Sequence, residues 1–184
     1  MKYIEEIFDN IELAKYERDG ECLYDSIRCF LSAATPEECV RQKTIVFLQK
    51  DLGIPVNRIL VEESMAHTKK GARGRADIVV YRDDECTDVL MIIECKAPHI
   101  NVLGDEVFKQ ASGYREILNA DYIMLVNGVE AVIYIYNDGE YFEVKDIPSF
   151  EKLLGAEITI AEEEAFVAYS YEELMSDEFK DAFA

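Results

Sequence analysis

The amino-acid sequence predicts an α/β fold, a central mixed β-sheet flanked by helices, and three observations carry that expectation. Short Ile- and Val-rich runs of strand length recur between Ile59 and Val144. A helix with a well-marked start precedes them. A second helical stretch lies between two of the runs, where it supplies the crossover that parallel pairing of its flanking strands requires.

Taken in order, Ile11 to Tyr16 and Glu21 to Cys29 flank Arg18-Asp19-Gly20, whose Asp-Gly step suits a tight hairpin turn. In Thr35-Pro36-Glu37-Glu38, Thr35 can accept from the backbone at N3, Pro36 fits the first helical position, and Glu38 can reach back as a capping-box partner. The helix runs to about Asp51 with Val40, Ile45, Leu48 and Leu52 at helical spacing, and Gly53 and Pro55 end it. Three strands follow, Ile59 to Ala66, Ala76 to Tyr81 and Val89 to Cys95, the last two joined across Arg82-Asp83-Asp84 and adjacent in one sheet. A helix from about Glu106 to Leu118 leads into a strand at Tyr122 to Val126. Asn127-Gly128 turns the chain into Ala131 to Tyr136, and a short strand at Tyr141 to Val144 closes the series. Beyond Pro148 come a short helix to Leu154 and an amphipathic stretch from Tyr171 to Phe183.

A chain of 184 residues with 49% hydrophobic content can bury a real core, which excludes a disordered tail or a disulfide miniprotein. No repeat or Gly/Ser/Pro-rich linker interrupts it before about residue 147. The expected division is therefore a domain over 1–147, with its core at about 24–136, and an acidic, partly helical extension over 148–184. The net charge of -19 opposes broad attraction to a phosphate backbone, so any nucleic-acid site must be local. Of that charge, net -11 lies between Asn137 and Ala184, which hold 14 acidic and 3 basic residues. The longest apolar run, Val89 to Ile93, is too short to cross a bilayer, and MKYIEEIFDN lacks the basic and apolar regions of a signal peptide. Five cysteines without a CxxC, and only two histidines, supply a zinc site poorly and fit reduced thiols. A soluble, cytoplasmic protein without membrane contact is expected.

Chemistry concentrates in Arg75-Ala76-Asp77-Ile78-Val79-Val80 and Ile92-Ile93-Glu94-Cys95-Lys96-Ala97-Pro98. Both strands carry charge in apolar settings, and Glu94 and Lys96, two apart, share a face. If the strands pair, Asp77 and Glu94 converge and repel unless a cation or proton intervenes. Two carboxylates with the Cys95 backbone carbonyl suit a hard ion, Mg²⁺ or Mn²⁺. Lys96 would then stand beside its water, where an ammonium stabilises hydroxide or developing phosphoryl charge.

At these residues the sequence resembles the PD-(D/E)xK nuclease superfamily, specifically the N-terminal nuclease domain of type I restriction enzyme motor (R) subunits. Four blocks, in family order over about Tyr24 to Gly128, carry the resemblance: Thr35 to Gln42, Gly74 to Val80, Ile93 to Pro98, and Gln110-x-x-x-Tyr114 with Asn127-Gly128. The resemblance implies a restriction-endonuclease-like core and a Mg²⁺-dependent endonuclease acting on DNA. Asp77 and Glu94 match the metal ligands, Lys96 the catalytic lysine and Glu38 the first-helix glutamate, a catalytic residue that would orient water or a second ion, while Gln110 and Tyr114 match a pair that engages nucleic acid. It also implies association with other restriction-modification subunits, or a homodimer where both strands are cut. The chain contains no GxxxxGK[ST] phosphate loop, so ATP binding and translocation do not carry over.

Alternatives stand beside these assignments. Glu38 is explained equally by helix capping. Asp77 and Glu94 could be structural partners of Arg73, Arg75 or Lys96. The basic run Lys69-Lys70-Gly71-Ala72-Arg73-Gly74-Arg75 reads as a DNA-contacting loop, with Lys69, Lys70, Arg73 and Arg75 at phosphates, or as a solvated hairpin. The rival to a nuclease keeps the fold but not the reaction: a catalytically weak or inactive binding and assembly module that docks to a partner through its acidic surface.

Overall fold

The computed structural model describes residues 3–161. The expected amphipathic stretch at Tyr171 to Phe183 lies outside the described residues. A six-stranded mixed sheet, in the order β4-β5-β6-β7-β8-β9, forms the centre: β4 (Ile59–Ser64), β5 (Arg75–Tyr81), β6 (Val89–Cys95), β7 (Tyr122–Val126), β8 (Ala131–Asn137) and β9 (Glu140–Glu143). The β6 and β7 pair is parallel and the other neighbours are antiparallel. The crossover between β6 and β7 is α4 (Asp105–Leu118), as expected of a helix joining parallel strands. All seven residues of β6 are buried, because helices cover the sheet on both faces.

One face carries α1 (Tyr3–Asp9), α2 (Pro36–Lys50) and α5 (Phe150–Gly155). There Ile4, Phe8, Val40, Ile45, Phe47 and Leu48 pack against Ile78, Val80, Met91, Ile93 and Met124. The other face carries α4, whose Val107 and Ala111 pack with Ile123, Leu125 and Val132 while Leu118 packs with Val79 and Ile92. Residues after 147 join the first of these cores: Phe150 and Leu153 are buried in it, and the Leu153 carbonyl accepts from the Tyr122 hydroxyl at 3.3 Å.

The structure departs from the sequence expectation in three places. The N-terminal hairpin is a three-stranded sheet of β1 (Lys15–Glu17), β2 (Glu21–Asp25) and β3 (Phe30–Ala33). Its first turn does run through Asp19 and Gly20, both at positive φ. However, β2 stops at Asp25, well short of Cys29, because Asp25 Oδ1 accepts the Ile27 and Arg28 N–H groups at 2.9 and 2.8 Å and turns the chain into β3. Likewise β4 ends at Ser64 rather than Ala66: Ser64 caps a single helical turn, α3 (Met65–Thr68), which precedes the basic loop. The α1 helix has no counterpart in the sequence expectation.

Candidate active site

Three strands, β4, β5 and β6, and two helices, α2 and α4, build one open cleft of about 490 Å³, whose walls include Arg41, Glu62, Arg75, Asp77, Glu94 and Lys96. The β5 and β6 ladder pairs Ile78 with Ile93. Just beyond that pair, Asp77 Oδ2 accepts the Cys95 N–H at 2.8 Å, which fixes the Asp77 carboxylate at the end of β6. The expected shared face of Glu94 and Lys96 is realised: Lys96 Nζ lies 2.6 Å from Glu94 Oε1. The Cys95 thiol is buried on the other side, 3.9 Å from the Thr44 hydroxyl of α2.

Gln110 and Tyr114, one turn apart on α4, stand beside this group. Gln110 Nε2 donates to Glu94 Oε1 at 2.6 Å, and Gln110 Oε1 accepts from Lys96 Nζ at 3.2 Å. Gln110 Nε2 also reaches the Tyr114 hydroxyl at 3.4 Å. Tyr114 covers Gly74: a Cβ placed there, at φ 96°, would run into the phenol ring and its oxygen. The glycine therefore lets the basic loop pass directly under the ring. Lys69, Lys70 and Arg73 are exposed on that loop, whereas Arg75 reaches Glu62 at 3.1 Å.

Glu38 lies behind the cleft, against Arg41, and not in a capping box. Thr35 Oγ1 accepts the Glu38 N–H at 3.1 Å, so the helix start is as expected. The reciprocal bond is absent, because the Thr35 N–H already donates to the Ala33 carbonyl at 2.8 Å. The Glu38 carboxylate turns inward instead, to Arg41, to Gln42 at 2.9 Å and to Arg28 at 3.3 Å. Two guanidinium groups outcompete a single backbone N–H.

Arg41 is the residue that sequence reasoning missed. It bridges Glu38 and Asp77, with Nη2 2.6 Å from Asp77 Oδ1. A signal was available in Glu38, Arg41 and Gln42, polar residues at i, i+3 and i+4 that form a stripe on one face of α2. Arg28, Asp25 and Glu62 continue the network: Arg28 Nε binds Asp25 at 2.7 Å and Nη1 binds Glu62 at 2.8 Å. Of the structural partners considered for Asp77 and Glu94, Lys96 does pair with Glu94, while Asp77 takes Arg41 rather than Arg73 or Arg75.

Electrostatics follow from burial. Glu94 is 2% exposed, and desolvation, reinforced by the Asp77 charge, pushes its carboxyl up to about 7 against the pull of Lys96. Burial disfavours the Lys96 ammonium, but the Glu94 hydrogen bond and charge outweigh it and raise its affinity for the proton. Arg41 is held charged in the same way, with Asp77 and Glu38 overcoming desolvation.

One feature of the donor set fits a hard cation. Glu94 Oε2 is buried and has no hydrogen-bond partner, in a cleft it shares with Asp77. A buried carboxylate oxygen left so is costly unless a cation or a proton meets it. Among the described residues no three His, Cys, Asp or Glu side chains cluster to hold a metal, so an ion here would rest on two carboxylates, a carbonyl and water.

Comparison with known proteins agrees with this architecture. The model of the family described as type I restriction enzyme R protein N terminus matches residues 36–148, more than half of the chain. The chain belongs to that family. Within this R-protein N-terminal domain, the match spans α2, the Asp77 and Glu94 strands and α4. A solved fragment described as a putative HsdR subunit of a type I restriction enzyme from Vibrio vulnificus YJ016 shares the fold, with a TM-score of 0.51 and 22% identity. The alignment covers 67% of this chain and 25% of that one, so the chain spans about a quarter of the relative. No curated protein matches. Among the described residues no helix is long and apolar enough to cross a membrane.

Proposed function

We propose that this domain is a Mg²⁺- or Mn²⁺-dependent endonuclease hydrolysing DNA phosphodiester bonds, the nuclease module of a type I restriction system. The observation that carries the reading is the meeting of Asp77, Glu94 and Lys96 in one cleft with Glu94 Oε2 lacking a partner. Asp77, Glu94 and the Cys95 backbone carbonyl would hold the ion. A divalent ion held there would supply Lewis-acid polarisation of a phosphoryl oxygen and a water nucleophile at neutral pH.

The chain's own groups do the rest. Lys96, anchored by Glu94 and Gln110, presents an ammonium to the charge that develops as water attacks in line. Gln110 fixes the Glu94 carboxylate, and Tyr114 stands at the cleft margin where a strand would lie. Glu38 acts through Arg41, which orients Asp77. Lys69, Lys70, Arg73 and Arg75 supply phosphate contacts along the approach. Cleavage of both strands needs two such sites, from a homodimer or successive nicks, and the partners are DNA and further restriction-modification subunits. A cytoplasmic location follows from that role.

The second reading is a nuclease fold that binds without cutting, docking through its acidic surface. The specific observation for it is that Asp77 and Glu94 are each already paired with a cation of the chain, Arg41 and Lys96. Cleavage of plasmid and single-stranded DNA with Mg²⁺ or Mn²⁺ at low salt separates the two. The nuclease reading expects cutting by the parent and loss in Asp77→Ala and Lys96→Ala. It is abandoned if the parent cuts neither form, or if both variants cut as well as the parent.

A further inference from the structure

Three arginines from separate parts of the chain converge on one carboxylate in the cleft. Glu62 Oε2 lies 2.8 Å from Arg28 Nη1 and 3.1 Å from Arg75 Nη1, and Glu62 Oε1 lies 3.5 Å from Arg41 Nη1. The backbone at Glu62 is unusual as well. It occupies the gap between the Val61–Ile78 and Glu63–Ala76 pairs of the β4 and β5 ladder, opposite Asp77, with φ 55°. A non-glycine residue in the left-handed region costs free energy, and such strain clusters at ligand clamps.

Two of the arginines do not depend on Glu62. Arg28 retains Asp25 and Glu38, and Arg41 retains Glu38 and Asp77. Arg75 is different: its side chain is 61% exposed, and Glu62 is its one ion-pair partner among the described residues. A planar guanidinium that meets a carboxylate meets a phosphate by the same geometry.

We infer that Glu62 is an internal stand-in for a substrate phosphate, its carboxylate filling an anion subsite formed by Arg75 and Arg41 until a DNA phosphate displaces it. This rests on the reading of the cleft as a DNA site and adds an autoinhibitory contact to it. The stand-in keeps Arg75 folded over the cleft and adds a negative charge where the substrate must enter, so it weakens binding by the free domain.

The dependence on Arg75 makes the test sharp: removing any acidic charge near the cleft favours a polyanion, but only a displaced stand-in makes that gain depend on Arg75. Binding of a short labelled duplex and of its single strand is measured in Ca²⁺ across a salt series, with thermal melting of each variant alongside. Glu62→Gln is expected to bind about threefold to tenfold more tightly at low salt, with a log–log salt slope steeper by about one. Glu62→Gly removes the carboxylate at a backbone angle glycine adopts without strain, so it keeps the test open if Glu62→Gln folds poorly. Measured against Arg75→Gln alone, adding Glu62→Gln or Glu62→Gly is expected to give little of that gain. Unchanged or weaker binding by the folded variants, or a gain that survives Arg75→Gln, overturns the inference while DNA binding by the parent leaves the nuclease reading standing. Absence of binding by parent and variants alike overturns both.

Discussion

Replacing Glu94 by glutamine tests the electrostatics of the cleft without reference to cleavage. The parent carboxyl sits at about 7 in the folded protein against 4.5 when free, because it is buried beside Asp77. Between those values the native state binds more protons than the unfolded chain, so stability contributed by this group falls as pH rises from 4.5 to about 7 and is level above. A gap of about 2.5 units at about 1.36 kcal/mol per unit is a loss of about 3 kcal/mol, of which about 2 kcal/mol falls between about pH 5.5 and about pH 8. The amide of the Glu94→Gln variant has no such titration. Lys96, its proton affinity raised, stays charged throughout this window, so its own titration adds no pH dependence, and its pull on Glu94 is already contained in the value of about 7. The assay is urea unfolding of both in EDTA at several pH values, away from the sequence pI of 4.4 where solubility is least. The expected result is that the parent loses about 2 kcal/mol relative to Glu94→Gln on going from about pH 5.5 to about pH 8. A pH-independent difference, or one of opposite sign, would refute the argument from burial and repulsion. Replacing EDTA with Mg²⁺ at the upper pH is expected to stabilise the parent and not the variant.

Three further outcomes follow from the same geometry. Arg41→Ala leaves Glu38 and Asp77 without their shared guanidinium and is expected to destabilise the fold by about 3–5 kcal/mol in urea, with Arg41→Lys losing less. Gly74→Ala forces a Cβ into the Tyr114 ring at a positive φ and is expected to cost about 1–3 kcal/mol by the same measurement. The Cys95 thiol, fully buried and pushed up by desolvation, is expected to resist a thiol reagent until the protein unfolds, whereas exposed Cys29 reacts in the native state; rapid native labelling of Cys95, read by peptide mapping, contradicts the packing.

The central sheet and the strands that carry Asp77 and Glu94 were legible because their signals are local. Ile- and Val-rich runs bounded by turn residues give β5, β6 and β7, and a helix between the last two makes their pairing parallel. A spacing of two places Glu94 and Lys96 on one face by strand geometry alone. The N-terminal sheet was read only in part: β3 has four residues without an alternating pattern, and the turn into it depends on a side chain, Asp25, that reads as an ordinary strand residue.

What the sequence hid is the partner of each charge, and here the reason is distance along the chain. Arg41 and Asp77 are 36 residues apart and Arg28 and Glu62 are 34 apart, and no periodicity encodes such pairs. This changes the meaning of Glu38. Read locally, it caps its own helix; in the fold, Thr35 does that work alone and Glu38 braces Arg41 against Asp77. The cleft therefore has two layers of charge. An inner layer of Asp25, Arg28, Glu38 and Arg41 is largely buried and mutually satisfied, apart from one guanidinium N–H, and it fixes Asp77 from behind. A second set, Glu62, Arg75, Glu94 and Lys96, lines the cleft, and there one buried carboxylate oxygen lacks a partner and one arginine is held by a strained glutamate. One more donor would satisfy Glu94, and a glycine in place of Glu62 would relieve its backbone, so each feature carries a cost in stability. Those two costs are the observations on which the proposed cation and phosphate sites rest.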